Sequence, residues 1–323
     1  CQTLERLYSP ISQPLAAVEA RLIQELQSPY ESVVPLLRHG KQLGGKRMRP
    51  AMLLLAGCAT GGLSEEHVIL GAVIEMVHTA TLIHDDVLDE ATTRRHVATV
   101  NARWNDHTSI LLGDYLFAQS FRLAATLSST CACRQIGEAS RLVCEGELRQ
   151  VLGRNDLDLD EEAYFGIIRA KTAELCRVAC LLGSQFAGAD AQTARMLAQY
   201  GDAVGIAFQI ADDYLDLWGD HHCVGKTLGT DIEQGKLTLP LIRMLETSDS
   251  GMRGEIQRIL AGPADQRVQQ IRPLLAVSDA RQYTMKTAER FRDLALASLA
   301  SLADSAAKQS LGAIAEFSIA RRF

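Results

Sequence analysis

An all-α fold is predicted by three observations. Proline is scarce, 8 in 323 residues, while the good helix formers Ala, Leu, Glu, Arg and Gln dominate. Apolar residues recur at helical spacing in one segment after another. No low-complexity linker divides the chain, so residues 1–323 read as one all-helical domain.

The elements follow in order. Residues 12–39 carry Leu15, Val18, Leu22, Ile23 and Leu26 at helical spacing and read as a surface helix. A glycine-rich basic loop from His39 to Pro50 comes next, in which Gly44 and Gly45 let backbone approach a ligand while Lys46, Arg47 and Arg49 offer donors suited to phosphate. An apolar helix starts at Pro50, and residues 64–90 read as a second, longer one that contains His78 and ends in acids. Residues 108–127 and 131–152 are further core helices. The acidic run Asn155–Glu162 resembles a calcium loop, but Glu161 stands where such a loop needs glycine, so it reads as a helix N-terminus rich in acids. That helix carries Lys171-Thr172 in an apolar setting of Phe165, Ile167, Ile168 and Leu175, and a buried lysine calls for an anion. The segment GKTLGTD at 225–231 lacks the first glycine of a nucleotide-binding loop and no strand precedes it. Lys226 and Lys236, with Asp231 between them, read instead as a flap able to close over phosphates. From residue 233 onward amphipathic helices are separated by breaks near Ser248–Gly251, Gly262–Pro263 and Ser278–Asp279, and the chain ends in a basic tail, Ala320–Phe323.

Composition excludes several classes. With 47% hydrophobic and 22% charged residues the chain has the make-up of a soluble globular protein. A net charge of −6 argues against nucleic acid as a partner, which needs a basic face. The eight cysteines, Cys1, Cys58, Cys131, Cys133, Cys144, Cys176, Cys180 and Cys223, show no zinc-type spacing and read as reduced, mostly buried thiols of an intracellular, cytoplasmic protein. The longest uninterrupted apolar run, Ala51 to Thr60, is about half of a membrane span, so no transmembrane segment is expected. No signal peptide is visible from Cys1 onward, and a targeting segment upstream of it is left open.

The functional reading starts from two copies of one pattern. Asp85, Asp86 and Asp89 lie at i, i+1 and i+4, and Asp212, Asp213 and Asp216 repeat that spacing. On a helix such a triplet falls within about 100° of arc, so three carboxylates crowd one face and repel unless a cation compensates them. Both copies sit in apolar context, LIH before one and FQIA before the other, which a merely solvated acidic face would not carry. Hard oxygen ligands suit Mg2+, which is held by a few carboxylates together with substrate phosphates. Two such helices facing across a cavity could clamp a diphosphate. His78, two turns before Asp85, stands either as a core residue or as part of this site, and adjacent Arg94 and Arg95 point different ways, so each could serve a different phosphate.

The ordered motifs GGKRMRP, DDVLDEATTRR, KTAEL, FQIADDYLD and GKTLGTDIEQGK, between about residues 40 and 240, resemble those of the trans-type prenyl diphosphate synthases. The resemblance implies an isoprenoid-synthase-type helical bundle around a deep central cavity, a homodimer, and three Mg2+ ions held by the aspartate clusters. It implies that Lys46, Arg49, His78 and Arg95 hold isopentenyl diphosphate and that Arg94, Lys171 and Lys226, with Lys236, hold an allylic diphosphate. Asp85, Asp86, Asp89 and Asp212 would carry the metals with Asp213 and Asp216 in support, while Thr172 and Gln209 would line the reacting centre beside Lys171, Asp85 and Asp86.

The physics is consistent with a head-to-tail condensation. Cations must surround two diphosphates held side by side, and they stabilise the pyrophosphate as the allylic C–O bond ionises. An apolar cavity keeps water from the allylic cation. Val77, Ala80 and Thr81, on the face below the first cluster, are small, so a growing tail could pass and the expected product is long-chain, about C40–C45, of the solanesyl or octaprenyl kind. Phe117 and Phe121, one turn apart, are the candidate cavity floor, and Ala80→Phe is expected to shorten the product. A very apolar product also brings peripheral contact with a membrane surface into view. The alternatives are a farnesyl or geranylgeranyl diphosphate synthase, or a non-catalytic partner subunit of the same fold. A terpene cyclase would not need the GGKRMRP loop, a silent subunit would have lost some of the charged positions filled here, and a phosphate-ester hydrolase has no use for an apolar cavity.

Overall fold

The structure, a computed structural model, describes residues 6–219 and 228–320. Among these residues regular structure is helical apart from one two-stranded hairpin. The chain divides into two compact units, Cys1–Ser140 with Leu175–Gly201 and Ser298–Ile314, and Arg141–Glu174 with Asp202–Ala297 and Ala315–Phe323.

The first unit is built on two apolar helices. Helices α1 (Ser12–Glu25) and α2 (Val34–Gln42) are separate, where the sequence pattern predicts one helix over 12–39. Pro29 disfavours helical backbone at Ser28, so the segment turns there. In α3 (Met48–Thr60) every residue from Pro50 to Gly57 is buried, and in α4 (Glu65–Leu88) so is every residue from Leu70 to Val77. Such all-round burial is what an all-round apolar helix requires. Helix α4 packs on α1, α3 and α6 (Asp106–Ala124), and short α5 (Val100–Arg103) packs on α6. Although α4 is long and apolar enough to span a membrane, 67% of its most apolar window is buried inside the protein. It opens with a capping box in which Ser64 N–H donates to His67 Nδ1 at 3.0 Å, and the other ring nitrogen donates to Gly183 O, also at 3.0 Å. The unit also takes in the start of α7 (Thr130–Leu152), most of α9 (Glu174–Phe186) and the first third of α10 (Ala191–Trp218).

A hairpin that the sequence pattern does not foretell follows α4. Ala91 N–H bonds to Asp86 O and Glu90 N–H to Val87 O, a Schellman stop with Glu90 in the left-handed region at φ 51°. Strands β1 (Thr93–Arg94) and β2 (Val97–Ala98) then pair antiparallel, Arg94 opposite Val97. The two turn residues, Arg95 and His96, both have positive φ, 50° and 65°, the signature of a type I′ turn. His39 of α2 braces the hairpin, donating through Nε2 to Ala98 O at 2.8 Å and accepting from Arg103 at Nδ1.

In the second unit α8 (Glu161–Ile168) begins on Asp160, whose side chain accepts from Ala163 N–H. The acidic run thus does cap a helix, as expected. Helix α8 leads into a five-residue π-turn, Arg169–Ala173, before α9. Downstream come α11 (Thr230–Glu233), α12 (Leu239–Thr247), α13 (Ser250–Leu260), α14 (Ala264–Val277) and α15 (Ala280–Ser298), with breaks at the three expected places. A further break precedes α16 (Ala306–Ile319), where the sequence gives no strong turn signal. Arg267 of α14 donates to Asn155 Oδ1, Ile232 O and Glu233 O, and Asn155 N–H bonds to Gly235 O at 2.8 Å. Gly235, at φ 71°, leaves the room that the Asn155 amide fills. These bonds fix residues 229–236 to the unit.

Candidate active site

In the first unit the basic loop is shaped by its own arginines. Arg47 sits at φ 54°, ion-paired to Glu75 at 2.5 Å and to Glu19. Burial opposes the Arg47 charge, but Glu75, only 2% exposed, and Glu19 outweigh it and raise its pKa. A methyl added at Gly44 would meet the Arg47 guanidinium, and one at Gly45 would stand 2.6 Å from Arg95 Nη1. The two glycines therefore admit protein arginines, whereas the sequence pattern assigns them to a ligand. Arg47 is occupied by glutamates, and the loop leaves Lys46 exposed, with its carbonyl bonded by Tyr8.

His78 and Arg49 meet at 2.9 Å between Nε2 and Nη1. Burial, then the charges of Arg49, Arg95, Arg94 and Arg47, hold His78 well below its ordinary pKa. Its ring is therefore neutral and accepts from Arg49 through Nε2. The Arg49 Nε donor is buried with no hydrogen-bond partner, an arrangement suited to receiving an anion. Arg95, also depressed by burial and then by Arg94, donates to Leu43 O at 3.4 Å. Arg49 and His78 are thus in contact, with the Arg95 charge near them.

The first aspartate cluster closes α4. Asp85 and Asp89 are half-buried, while Asp86 is only 1% exposed and receives Arg94 through Nε at 2.9 Å and Nη2 at 2.8 Å. Arg94, expected on a diphosphate, here neutralises an aspartate. Among the chain-length candidates, Val77 and Ala80 are wholly buried, and half-buried Thr81 donates to His78 O. Phe117 stacks at 6.0 Å on His84. Phe121 is 37% exposed, which suits a surface better than the floor of a cavity.

In the second unit a chain of hydrogen bonds runs through the expected residues. Thr172 Oγ1 donates to Gln209 Oε1 at 2.8 Å, Gln209 Nε2 to Asp213 Oδ1 at 2.8 Å, and Tyr164 OH to Asp213 Oδ2 at 2.6 Å. Lys171 Nζ lies 2.5 Å from Glu147 and 2.9 Å from Gln150 Oε1. Burial pushes the Asp213 carboxyl well up, and the Asp231 charge adds to it against the two donated bonds. Asp216 acts as a cap: its carboxylate accepts Thr230 Oγ1 at 2.8 Å and the backbone N–H of Thr230 and Asp231. Asp213 and Asp216 thus have their oxygens engaged by protein donors, while Asp212 is half-buried. Lys236 stands 4.0 Å from Asp231. Tyr164, Lys171, Thr172, Gln209, Asp213 and Lys236 line a cavity of about 100 Å³.

Lys226 lies outside the described residues, as do Cys1, Cys223 and the tail 321–323. Of the other six cysteines Cys176 and Cys180 are buried and Cys144 is exposed, so fewer are buried than expected. Among the described residues no three of His, Cys, Asp and Glu form a ready-made metal cage. Sequence reasoning missed Glu75, Glu147 and Tyr164. Glu147 and Gln150, three apart, share a helix face two residues beyond Glu145, and that spacing was a readable signal.

The chain has known relatives. The chain is 33% identical over 319 residues, 98% of it and 99% of the relative, to octaprenyl diphosphate synthase of Escherichia coli (strain K12). Its fold matches the crystal structure of a decaprenyl diphosphate synthase from Rhodobacter capsulatus with TM-score 0.93 and 34% identity, covering 99% of both chains. A polyprenyl synthase from Caulobacter crescentus CB15, solved with calcium and isoprenyl diphosphate, matches with TM-score 0.91 and 34% identity over 99% of this chain and 98% of that one. The polyprenyl synthetase family model covers residues 31–277, which hold all five ordered motifs and both aspartate clusters, and this chain belongs to that family.

Proposed function

We propose that the chain is a prenyltransferase that joins isopentenyl diphosphate head to tail with an allylic diphosphate, builds a long all-trans polyprenyl chain and releases pyrophosphate. The observation that carries this reading is a doubled arrangement: each unit has its own aspartate cluster and its own cations, Arg49 and Arg95 in one and Lys171 and Lys236 in the other. One diphosphate can be served by each. The long-chain synthases among its relatives support the product class.

Arg49, with its orphaned donor, neutral His78, Arg95 and exposed Lys46 take isopentenyl diphosphate. Lys171 and Lys236 take the allylic diphosphate, and Lys226 joins them. Thr172 and Gln209 are held by bonds that end on Asp213, so they are oriented before substrate arrives. Mg2+ suits Asp85, Asp89 and Asp212, because it needs only one or two carboxylates when phosphates and water complete its shell; three ions per site is the proposed count. When bound it neutralises charge on the leaving pyrophosphate. The allylic C–O bond breaks, the isopentenyl double bond forms the new C–C bond, and the proton lost from the joined product leaves with pyrophosphate.

Ile110, Leu111, Ala118 and Phe121 expose apolar surface along α6 around an exposed Asp114, Leu111 to 68%, and this strip is the proposed face of a homodimer. A cytoplasmic location with peripheral membrane contact at product release completes the reading. The test of the activity is pyrophosphate release from purified protein given Mg2+ and both diphosphates. Release that requires both substrates and stops on adding a chelator is the expected result; inorganic phosphate in place of pyrophosphate, or release with one substrate alone, would refute it.

A further inference from the structure

Lys171 and Thr172 are neighbours in sequence, yet they serve different helices. Lys171 reaches Glu147 and Gln150 on α7, and Thr172 reaches Gln209 on α10. An ordinary helical turn does not run here. Glu174 N–H bonds to Arg169 O, five residues back, so Arg169–Ala173 hold one residue more than an α-turn would.

Two glycines grip this wide turn. A methyl at Gly146 of α7 would fall 2.8 Å from Lys171 N and 2.9 Å from Ala170 Cβ. One at Gly205 of α10 would collide with Ala173 Cα and lie 2.7 Å from its Cβ. Both contacts are largely with backbone, which cannot swing aside. A π-turn occurs as a single insert in a helix and gathers at functional sites.

We propose that the π-turn Arg169–Ala173, clasped by Gly146 and Gly205, aims Lys171 and Thr172, so that these glycines are positioning residues for the allylic diphosphate. The inference rests on the prenyltransferase reading above. Its logic is geometric: removing the extra residue restores a continuous helix and turns Lys171 and Thr172 by up to about 100°. A basic group moved by about 1 Å from its ligand can cost about a hundredfold in rate.

The test uses full-length protein in which wild-type condensation has first been measured, so a failure of the function is seen before any variant is made. Deletion of Ala170 is expected to fold, by circular dichroism and Tm. It should raise KM for the allylic diphosphate at least about tenfold while KM for isopentenyl diphosphate changes less than about twofold. Gly146→Ala, a milder push on the same backbone, should raise the allylic KM by about threefold or more. A folded deletion variant with wild-type KM values would overturn the proposal, and so would equal rises in both KM values. If the deletion does not fold, Gly146→Ala decides, and an unchanged allylic KM there would also overturn it.

Discussion

Tyr164 donates its phenol proton to a carboxylate that is 3% exposed. Burial, then the charges and bonds of Asp213, hold its own pKa well above the ordinary tyrosine value, so it stays a donor. Tyr164→Phe removes one of two donors to Asp213 and should destabilise the fold by about 1–3 kcal/mol, the cost of a buried acceptor left short. Chemical denaturation measures this, and an unchanged midpoint would show the bond to be idle. Two histidines give a pH signature. His78 and His67 are both held below the ordinary value, each by burial first. Above about pH 6.5 the folded and unfolded chains bind equally few protons at these rings. Below it the unfolded chain takes up protons that the folded one refuses, so stability falls by up to about 1.4 kcal/mol per pH unit for each ring. These two rings therefore pull Tm down between about pH 7 and about pH 5.5, opposed by the raised Asp213 carboxyl, which keeps in the folded chain a proton that the unfolded chain gives up, and His78→Gln should remove its share of the slope. An unaltered slope would contradict it. At this scale the aspartate spacing and Lys171-Thr172 were legible, because side-chain type and spacing are sequence properties. That Arg47 pairs with Glu75 was not, since it depends on a left-handed backbone that no residue type announces.

Short elements are where backbone geometry departs furthest from the sequence signal. The long helices α4 and α7 were legible because their apolar periodicity extends over 24 and 23 residues. The hairpin was not: its strands have two residues each, and its turn uses Arg95 and His96 where glycine or asparagine would have given it away. The π-turn likewise has no residue signature, only a hydrogen bond one residue longer. Left-handed backbone costs an L-residue about 1–2 kcal/mol, and glycine gives back part of that through its own entropy. His96→Gly should therefore stabilise the protein by about 0.5–1 kcal/mol, read as a higher denaturation midpoint. A loss of stability would mean that the His96 side chain holds the turn by contacts of its own.

At the level of the whole molecule, the all-α class followed from composition and periodicity, and the family from five ordered motifs that the matched segment contains. Product length follows from small residues on α4, of which Val77 and Ala80 are wholly buried. The exposed strip on α6 makes its own prediction. Leu111→Glu places a charge in the proposed dimer face and should convert the protein to monomer in sedimentation experiments, with a charge left uncompensated in a buried interface as the cause. A wild-type monomer, or a variant that stays dimeric, would remove α6 from the interface.

Repeated condensation to a long chain is tested by incubation with Mg2+, labelled isopentenyl diphosphate and an allylic primer, followed by chromatographic sizing of the products. A ladder that ends at octaprenyl or nonaprenyl length is the expected result. No elongation from geranyl, farnesyl or geranylgeranyl diphosphate would contradict it.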